Sequence, residues 1–193
     1  MLKIIKIKKT KIKNVDFENL DFGSVFSDHM FTSSFVNGKW DSGVIEPYKP
    51  ISMDPSARAL HYGQACFEGM KAYKDKNGKT WLFRPLENYK RISKSCERLA
   101  MPIPNKEIFM EGLKKLVELD YEWIKPGLGN SLYIRPFVFA DQPSINANEA
   151  NQYKFMIICA PAQLYYSGKV KVKIEKSYSR AAKGGVGYAK AAG

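Results

Sequence analysis

The 193-residue chain is predicted to form an α+β domain followed by the opening of a second domain. Three patterns predict this. Short apolar runs separated by Asn-Gly and Asp-x-x-Gly turns fill the first eighty residues, as in strand hairpins. Two consecutive stretches beyond Pro85 then carry apolar residues at helical spacing. The apolar, aromatic runs 131–140 and 153–160 return to strand patterning, so helices and strands are grouped rather than alternated.

In chain order, residues 1–13 alternate loosely between Lys and Ile, as an edge strand does. Residues 31–46 hold two short strands around the turn Asn37-Gly38-Lys39. A Pro-punctuated loop runs from Pro47 to Pro55, and a polar, aromatic run occupies 56–64. Phe67 to Tyr73 reads as one strand, Asp75 to Gly78 as its turn and Thr80 to Phe83 as the returning strand. Pro85 suits the first position of a helix over 86–99, whose apolar face is Tyr89, Ile92, Cys96 and Leu99; Pro102 and Pro104 stop it. Asn105 is placed to cap a second helix that Pro126-Gly127 ends. The strands 131–140 and 153–160 flank a polar loop, Asp141 to Gln152. A last alternating run, Lys169 to Glu175, reads as a strand after the linker Ser167-Gly168. The predicted domains are therefore 1–166 and 167–193.

A hydrophobic content of 45% suits a chain with a packed core. The net charge of +12 invites a nucleic-acid reading, but its distribution argues against one. Residues 1–13 carry six lysines and no acid, and 169–193 carry seven basic groups and one acid. The stretch between them is balanced at 18 of each sign. Lysines at an edge strand also discourage edge-to-edge pairing. Cys66, Cys96 and Cys159 form no CxxC pair, and His29 and His61 lie far apart, so no metal site and no disulfide framework is expected. The longest apolar run, Phe155 to Ala160, is strand-sized, so no membrane span is expected. The basic N-terminus has no apolar h-region, and the default compartment is a reducing, cytoplasmic one.

Four segments could carry chemistry. Arg180 to Gly193 sets Lys190 among small residues, which lets a flat ligand approach its amine. Lysine is a good nucleophile when its amine is neutral at working pH. Leu82-Phe-Arg84-Pro85 places an arginine at a helix start, which suits either an anion site or a surface ion pair. Tyr133 and Arg135 stand two apart in a strand, hence on one face, for either carboxylate recognition or an ion pair. Leu60 to Met70 is either a core strand with a buried tyrosine or part of a site.

Read together, these segments resemble the branched-chain amino acid aminotransferases, pyridoxal-phosphate enzymes of fold type IV. The matching stretches are Ser27-Asp-His-Met30, His61-Tyr62 with Phe67-Glu-Gly-Met-Lys-Ala72, Leu82-Phe-Arg-Pro85, Ser131-Leu-Tyr-Ile-Arg-Pro136, Pro143-Ser144 and Arg180 to Gly193. They follow the family's order and spacing and are closer to its longer, eukaryotic-like branch. The resemblance implies the antiparallel small domain of that fold and the start of its large domain.

It also implies roles. Lys190 matches the lysine that forms the Schiff base with pyridoxal 5′-phosphate and shuttles the substrate proton. Arg84 and Arg180 match arginines near the cofactor phosphate. Tyr62, Phe67, Tyr133 and Tyr165 match aromatic walls of the substrate pocket, with Tyr166 the alternative to Tyr165. Arg135 matches the arginine that accepts the distal carboxylate of glutamate or 2-oxoglutarate. Ile145 and Ala147 lie in the loop that enters the neighbouring subunit's pocket, which implies a homodimer. The implied reaction moves the amino group of Leu, Ile or Val to 2-oxoglutarate. Other fold type IV enzymes (a D-amino-acid aminotransferase or aminodeoxychorismate lyase) and a non-catalytic fragment are the alternatives. Family members are much longer, and the tyrosine, pyridine-pairing acid and threonine-rich turns that follow the lysine have no counterpart here. The chain is expected to be part of a longer protein and inactive by itself.

Overall fold

The computed structural model describes residues 1–164 and 168–193. Among these residues the strands are β1 (Lys3–Ile4), β2 (His29–Val36), β3 (Lys39–Trp40), β4 (Val44–Pro47), β5 (Ala65–Phe67), β6 (Met70–Lys74), β7 (Thr80–Leu82), β8 (Ser131–Ala140) and β9 (Tyr153–Ala162). The helices are α1 (Arg58–Tyr62), α2 (Pro85–Arg98) and α3 (Lys106–Leu119). All nine strands join one sheet in the order β1-β4-β2-β9-β8-β6-β7, with β3 on β2 and β5 on β8. Only β1 pairs in parallel, with β4. The α+β class predicted from the pattern is the architecture observed. No helix among the described residues is long and apolar enough to cross a membrane.

The β2–β3 hairpin forms where Asn37-Gly38 allows it. Both residues take positive φ, 53° and 77°, and Phe35 and Val36 pair with Trp40 and Lys39. This two-residue turn matches the twist of antiparallel strands. Pro85 opens α2 as expected, because its missing N–H is no loss in the first turn. Ile92 and Cys96 are buried, with Tyr89 and Leu99 beside them, so the predicted face is the one that packs.

The core lies between that face, α3 and the sheet. The Phe109 ring stacks on Phe155 at 5.6 Å, Phe31 meets Phe155 edge-on at 5.5 Å, and Tyr89 meets Phe109 at 5.4 Å. Such pairs add about 0.5–1.5 kcal/mol each beyond their area burial.

Four local expectations differ from the structure. The single strand over 67–73 is split into β5 and β6 at Glu68-Gly69. Across from the break sits Pro136 of β8, which has no N–H to give a ladder. Accordingly β5 pairs with 137–139, β6 pairs with 132–134, and the Glu68 N–H donates to the Pro136 carbonyl at 2.7 Å.

Second, Asn105 precedes α3 but makes no side-chain cap bond, and α3 stops at Leu119, well before Pro126. The next residue, Asp120, is buried and tied to β2. Its carboxylate accepts the His29 backbone N–H at 3.1 Å and pairs with His29 Nδ1 at 2.6 Å. The Ile7 N–H donates to His29 Nε2, so Nδ1 carries the ring proton toward Asp120.

Third, the N-terminal strand is only two residues long. Beyond it, Ile7 turns to His29, and the Thr10 hydroxyl donates to the Asp28 carboxylate. Fourth, Lys169–Glu175 forms no strand. Val170, Val172 and Ile174 are exposed, because among the described residues nothing pairs with this run. The expected boundary between domains, at 166/167, falls outside the described residues.

Cys66, Cys96 and Cys159 are all buried. Sγ of Cys66 and Cys96 are 3.6 Å apart. Contact with Cys66, then burial, pushes the Cys96 thiol far above its ordinary range, and burial does the same to Cys159. Thiolates react and thiols do not. Cys96 and Cys159 are therefore not expected to react with a disulfide reagent in the folded protein, Cys66 is shielded by burial alone, and all three should react after unfolding. Prompt labelling of Cys96 in the native state would contradict this packing.

Candidate active site

Phe67 ends β5 at the break opposite Pro136, and its ring becomes a platform for two cations. The Arg135 guanidinium carbon lies 4.4 Å from the ring centroid and the Lys190 Nζ 4.3 Å from it. Arg135 and Tyr133 share a face of β8, as their spacing required. Arg135 donates from Nε and Nη2 to the Tyr133 hydroxyl at 3.2 and 2.9 Å. Gly69 is needed beside them, since a Cβ there would collide with the Tyr133 hydroxyl.

Lys190 is brought to this ring by a short antiparallel run beside β5. The Phe67 N–H donates to the Lys190 carbonyl at 3.0 Å, Cys66 bridges Ala191, and the Ala192 N–H donates to Ala65 at 2.9 Å. On the other side, the Lys190 N–H donates to Ser95 Oγ of α2 at 2.9 Å. Four sequence-selected residues, Phe67, Tyr133, Arg135 and Lys190, thus gather at one place.

Tyr133 and Arg135 also line a hollow of about 180 Å³ with Phe22, Phe26, Ile158 and Ala160. Phe22 meets the Tyr133 ring edge-on at 5.0 Å. Apolar walls with one guanidinium suit a ligand that is aliphatic along its length and acidic at one end.

Arg84 stands at the start of α2 with φ of 50°, a conformation sparsely populated by residues other than glycine. It is exposed and lines a cavity of about 720 Å³ with Phe83, Glu87, Asn88, Lys90, Arg91, Lys94 and Tyr188, four basic groups against one carboxylate. A helix N-terminus with this basic lining suits an anion. Tyr188 connects this cavity to the Lys190 segment, two residues away.

The remaining candidates lie elsewhere. Arg180 is exposed and does not line the Arg84 cavity. Tyr62 is half exposed, and its hydroxyl donates to the Ile145 carbonyl, so it meets the 141–152 loop rather than the Phe67 platform. Buried Arg58 holds the same loop through Asn148 Oδ1 at 2.7 Å and the Asn148 carbonyl. Ile145 and Ala147 are exposed on it. Tyr165 and its alternative Tyr166 lie outside the described residues.

The network behind the platform was not picked out from sequence. Glu68 is fully buried. It accepts from Arg91 Nε and, at 2.7 Å, from Arg91 Nη2; Asn88 Nδ2 donates to it at 2.9 Å and the Gly69 N–H at 3.2 Å. This pairing raises the Arg91 guanidinium above its ordinary range. Arg84, Asn88, Arg91 and Ser95 follow one another at spacings of four, three and four, one stripe of a helix. That polar stripe was the available signal.

The donor set fits pyridoxal phosphate at its two chemical ends. Lys190 offers an amine for an aldehyde, and the basic cavity at Arg84 offers charge for a phosphate. The sheet and helices have the fold of the small domain of fold type IV aminotransferases. A branched-chain amino acid aminotransferase from Escherichia coli matches 72% of this chain and 41% of its own, with TM-score 0.53 and 21% identity. An aminotransferase from Brucella abortus, bound to pyridoxal phosphate, matches 84% of this chain and 53% of its own, with TM-score 0.52 and 18% identity.

In sequence the chain is similar to proteins named branched-chain-amino-acid transaminases. It is 45% identical to transaminase 1 of Bacillus subtilis over 89% of its length and 49% of that protein. It is 45% identical to a probable branched-chain-amino-acid aminotransferase of Staphylococcus aureus over 98% of its length and 54% of that protein. The chain spans about half the length of the curated relatives it matches. No protein-family model matches it.

Removing the charge that faces Glu68 should be costly, because it strands a buried carboxylate. Because Arg91 itself is half exposed, Arg91→Ala is expected to lower the unfolding free energy by about 1–3 kcal/mol, measured by urea titration. Arg91→Lys, which keeps the charge but loses the fork, should cost less. An unchanged midpoint for Arg91→Ala would show that Asn88 and Gly69 suffice.

Proposed function

We propose that this chain is the lysine-bearing part of a branched-chain aminotransferase, acting on Leu, Ile and Val with 2-oxoglutarate as amino acceptor and pyridoxal 5′-phosphate as cofactor. The observation that carries the reading is the convergence of Lys190 and Arg135 on the Phe67 ring, with Tyr133 beside them. When bound, the cofactor supplies the electron sink that amino-group transfer needs.

Each side chain then has work that its chemistry allows. Lys190 holds the cofactor at its aldehyde end and moves the proton at the substrate α-carbon. Arg84, in its basic cavity, would hold the phosphate. Phe67 and Tyr133 would wall the aliphatic part of the substrate. Burying a Leu-sized side chain against them is worth about 1.5–3 kcal/mol. Arg135, steadied by the Tyr133 hydroxyl, receives the distal carboxylate of 2-oxoglutarate. One pocket takes both substrates because tyrosine has an apolar face and a polar edge.

The 141–152 loop, held by Arg58 and Tyr62 with Ile145 and Ala147 outward, is read as the part that reaches a second subunit of a cytoplasmic homodimer.

The test is reductive trapping. Incubated with pyridoxal 5′-phosphate and then borohydride, the protein should be yellow before reduction and carry the label on the Lys190 peptide, read by mass spectrometry. Lys190→Ala should lose the label, and turnover of the complete enzyme should fall by at least about 10²–10⁴-fold. L-Leu, L-Ile and L-Val should be the best donors. Preference for D-amino acids would point to another fold type IV reaction, and a protein that stays colourless would end the proposal.

A further inference from the structure

Ser95 lies in the interior of α2, fully buried, where a helix gains nothing from serine over alanine. Both hydrogen-bonding capacities of its hydroxyl are in use. The oxygen accepts the Lys190 backbone N–H at 2.9 Å, and the hydroxyl hydrogen goes to the Arg91 carbonyl at 3.0 Å. Back-bonding of this kind to the preceding turn fixes the rotamer, so the acceptor lone pair is aimed outward from the helix.

The segment it meets has few other anchors. Residues 168–188 have no regular structure and are mostly exposed. From Ala189 onward the chain is held by the β5 contacts on one side and by Ser95 on the other. The Ser95 bond is made at the residue whose amine rests on Phe67. It ties that residue to the same helix whose Arg91 grips Glu68, next in sequence to Phe67. Platform and amine are thereby referenced to one rigid element.

We propose that Ser95 is a positioning residue for Lys190, setting where the lysine backbone sits and therefore where its amine stands over the Phe67 ring. The inference rests on the reading of Lys190 as the cofactor lysine. It goes beyond that reading by assigning a function to a buried helix residue whose hydroxyl, among the described residues, bonds only to the Arg91 carbonyl and the Lys190 N–H.

The experiment uses the complete protein that contains this chain and its variants Ser95→Ala and Ser95→Thr. Hydrogen exchange reads the Lys190 amide directly, without cofactor, and reductive trapping with pyridoxal 5′-phosphate reads the amine. In Ser95→Ala, exchange at Lys190 should rise about tenfold, the scale of one lost hydrogen bond. Trapping at Lys190 should fall by a similar factor while background labelling of surface lysines stays constant. Ser95→Thr, which keeps the hydroxyl, should restore both.

Circular dichroism checks the fold. If Ser95→Ala does not fold, Ser95→Cys, which keeps the volume but accepts hydrogen bonds weakly, is read the same way. Unchanged exchange at Lys190 overturns the proposal, as does faster exchange with undiminished trapping. A wild-type chain that takes no label at Lys190 overturns the underlying reading and the role of Ser95 with it. That failure is seen in the wild type, whereas failure of the inference alone appears only in the variants.

Discussion

The buried carboxylate of Glu68 is the constraint around which the site is organised. A carboxylate removed from water needs a charge partner and further donors, or folding must expose it again. Here the Arg91 fork, the Asn88 amide and the Gly69 N–H supply them. The consequence is geometric: α2 must lie against the β5–β6 break, because that is where Glu68 is. Phe67 and Tyr133 are neighbours of that break, so the platform for Lys190 and Arg135 is located by the same pairing.

α2 therefore has two faces with different tasks. Ile92 and Cys96, with Tyr89 and Leu99 beside them, pack on the core. Arg84, Asn88, Arg91 and Ser95 form the polar stripe, running from the anion-suited cavity at the helix start, past Glu68, to the Lys190 backbone. A helix is a good ruler for such a purpose because its hydrogen bonds hold residues about three turns apart at a set separation. Pro136 completes the arrangement from the sheet side, since its missing N–H opens the ladder that Glu68 and Gly69 occupy.

Much of this was legible in the residues. The Asn37-Gly38 hairpin, the start and face of α2, the extent of β8 and the shared face of Tyr133 and Arg135 all follow from local rules of turn chemistry, proline geometry and strand alternation. The break in the 67–73 strand was not read, because it depends on Pro136, nearly seventy positions away. The early end of α3 was not read either, because it depends on Asp120 meeting His29 of β2. Alternation in Lys169–Glu175 is a real strand pattern, but a strand exists only with a partner, and none is present among the described residues.

For the site, residue type and position nominated Lys190, Arg135, Tyr133 and Arg84, and the family resemblance added Phe67. That Lys190 and Arg135 share one aromatic ring, that Arg180 stands apart from Arg84, and that Tyr62 meets the 141–152 loop are products of the tertiary structure. So is the role of Glu68, whose worth comes wholly from burial. Local backbone chemistry acts over a few residues and can be read along the chain. Desolvation and the pairing it enforces act through space, and only the folded arrangement decides which groups must answer one another.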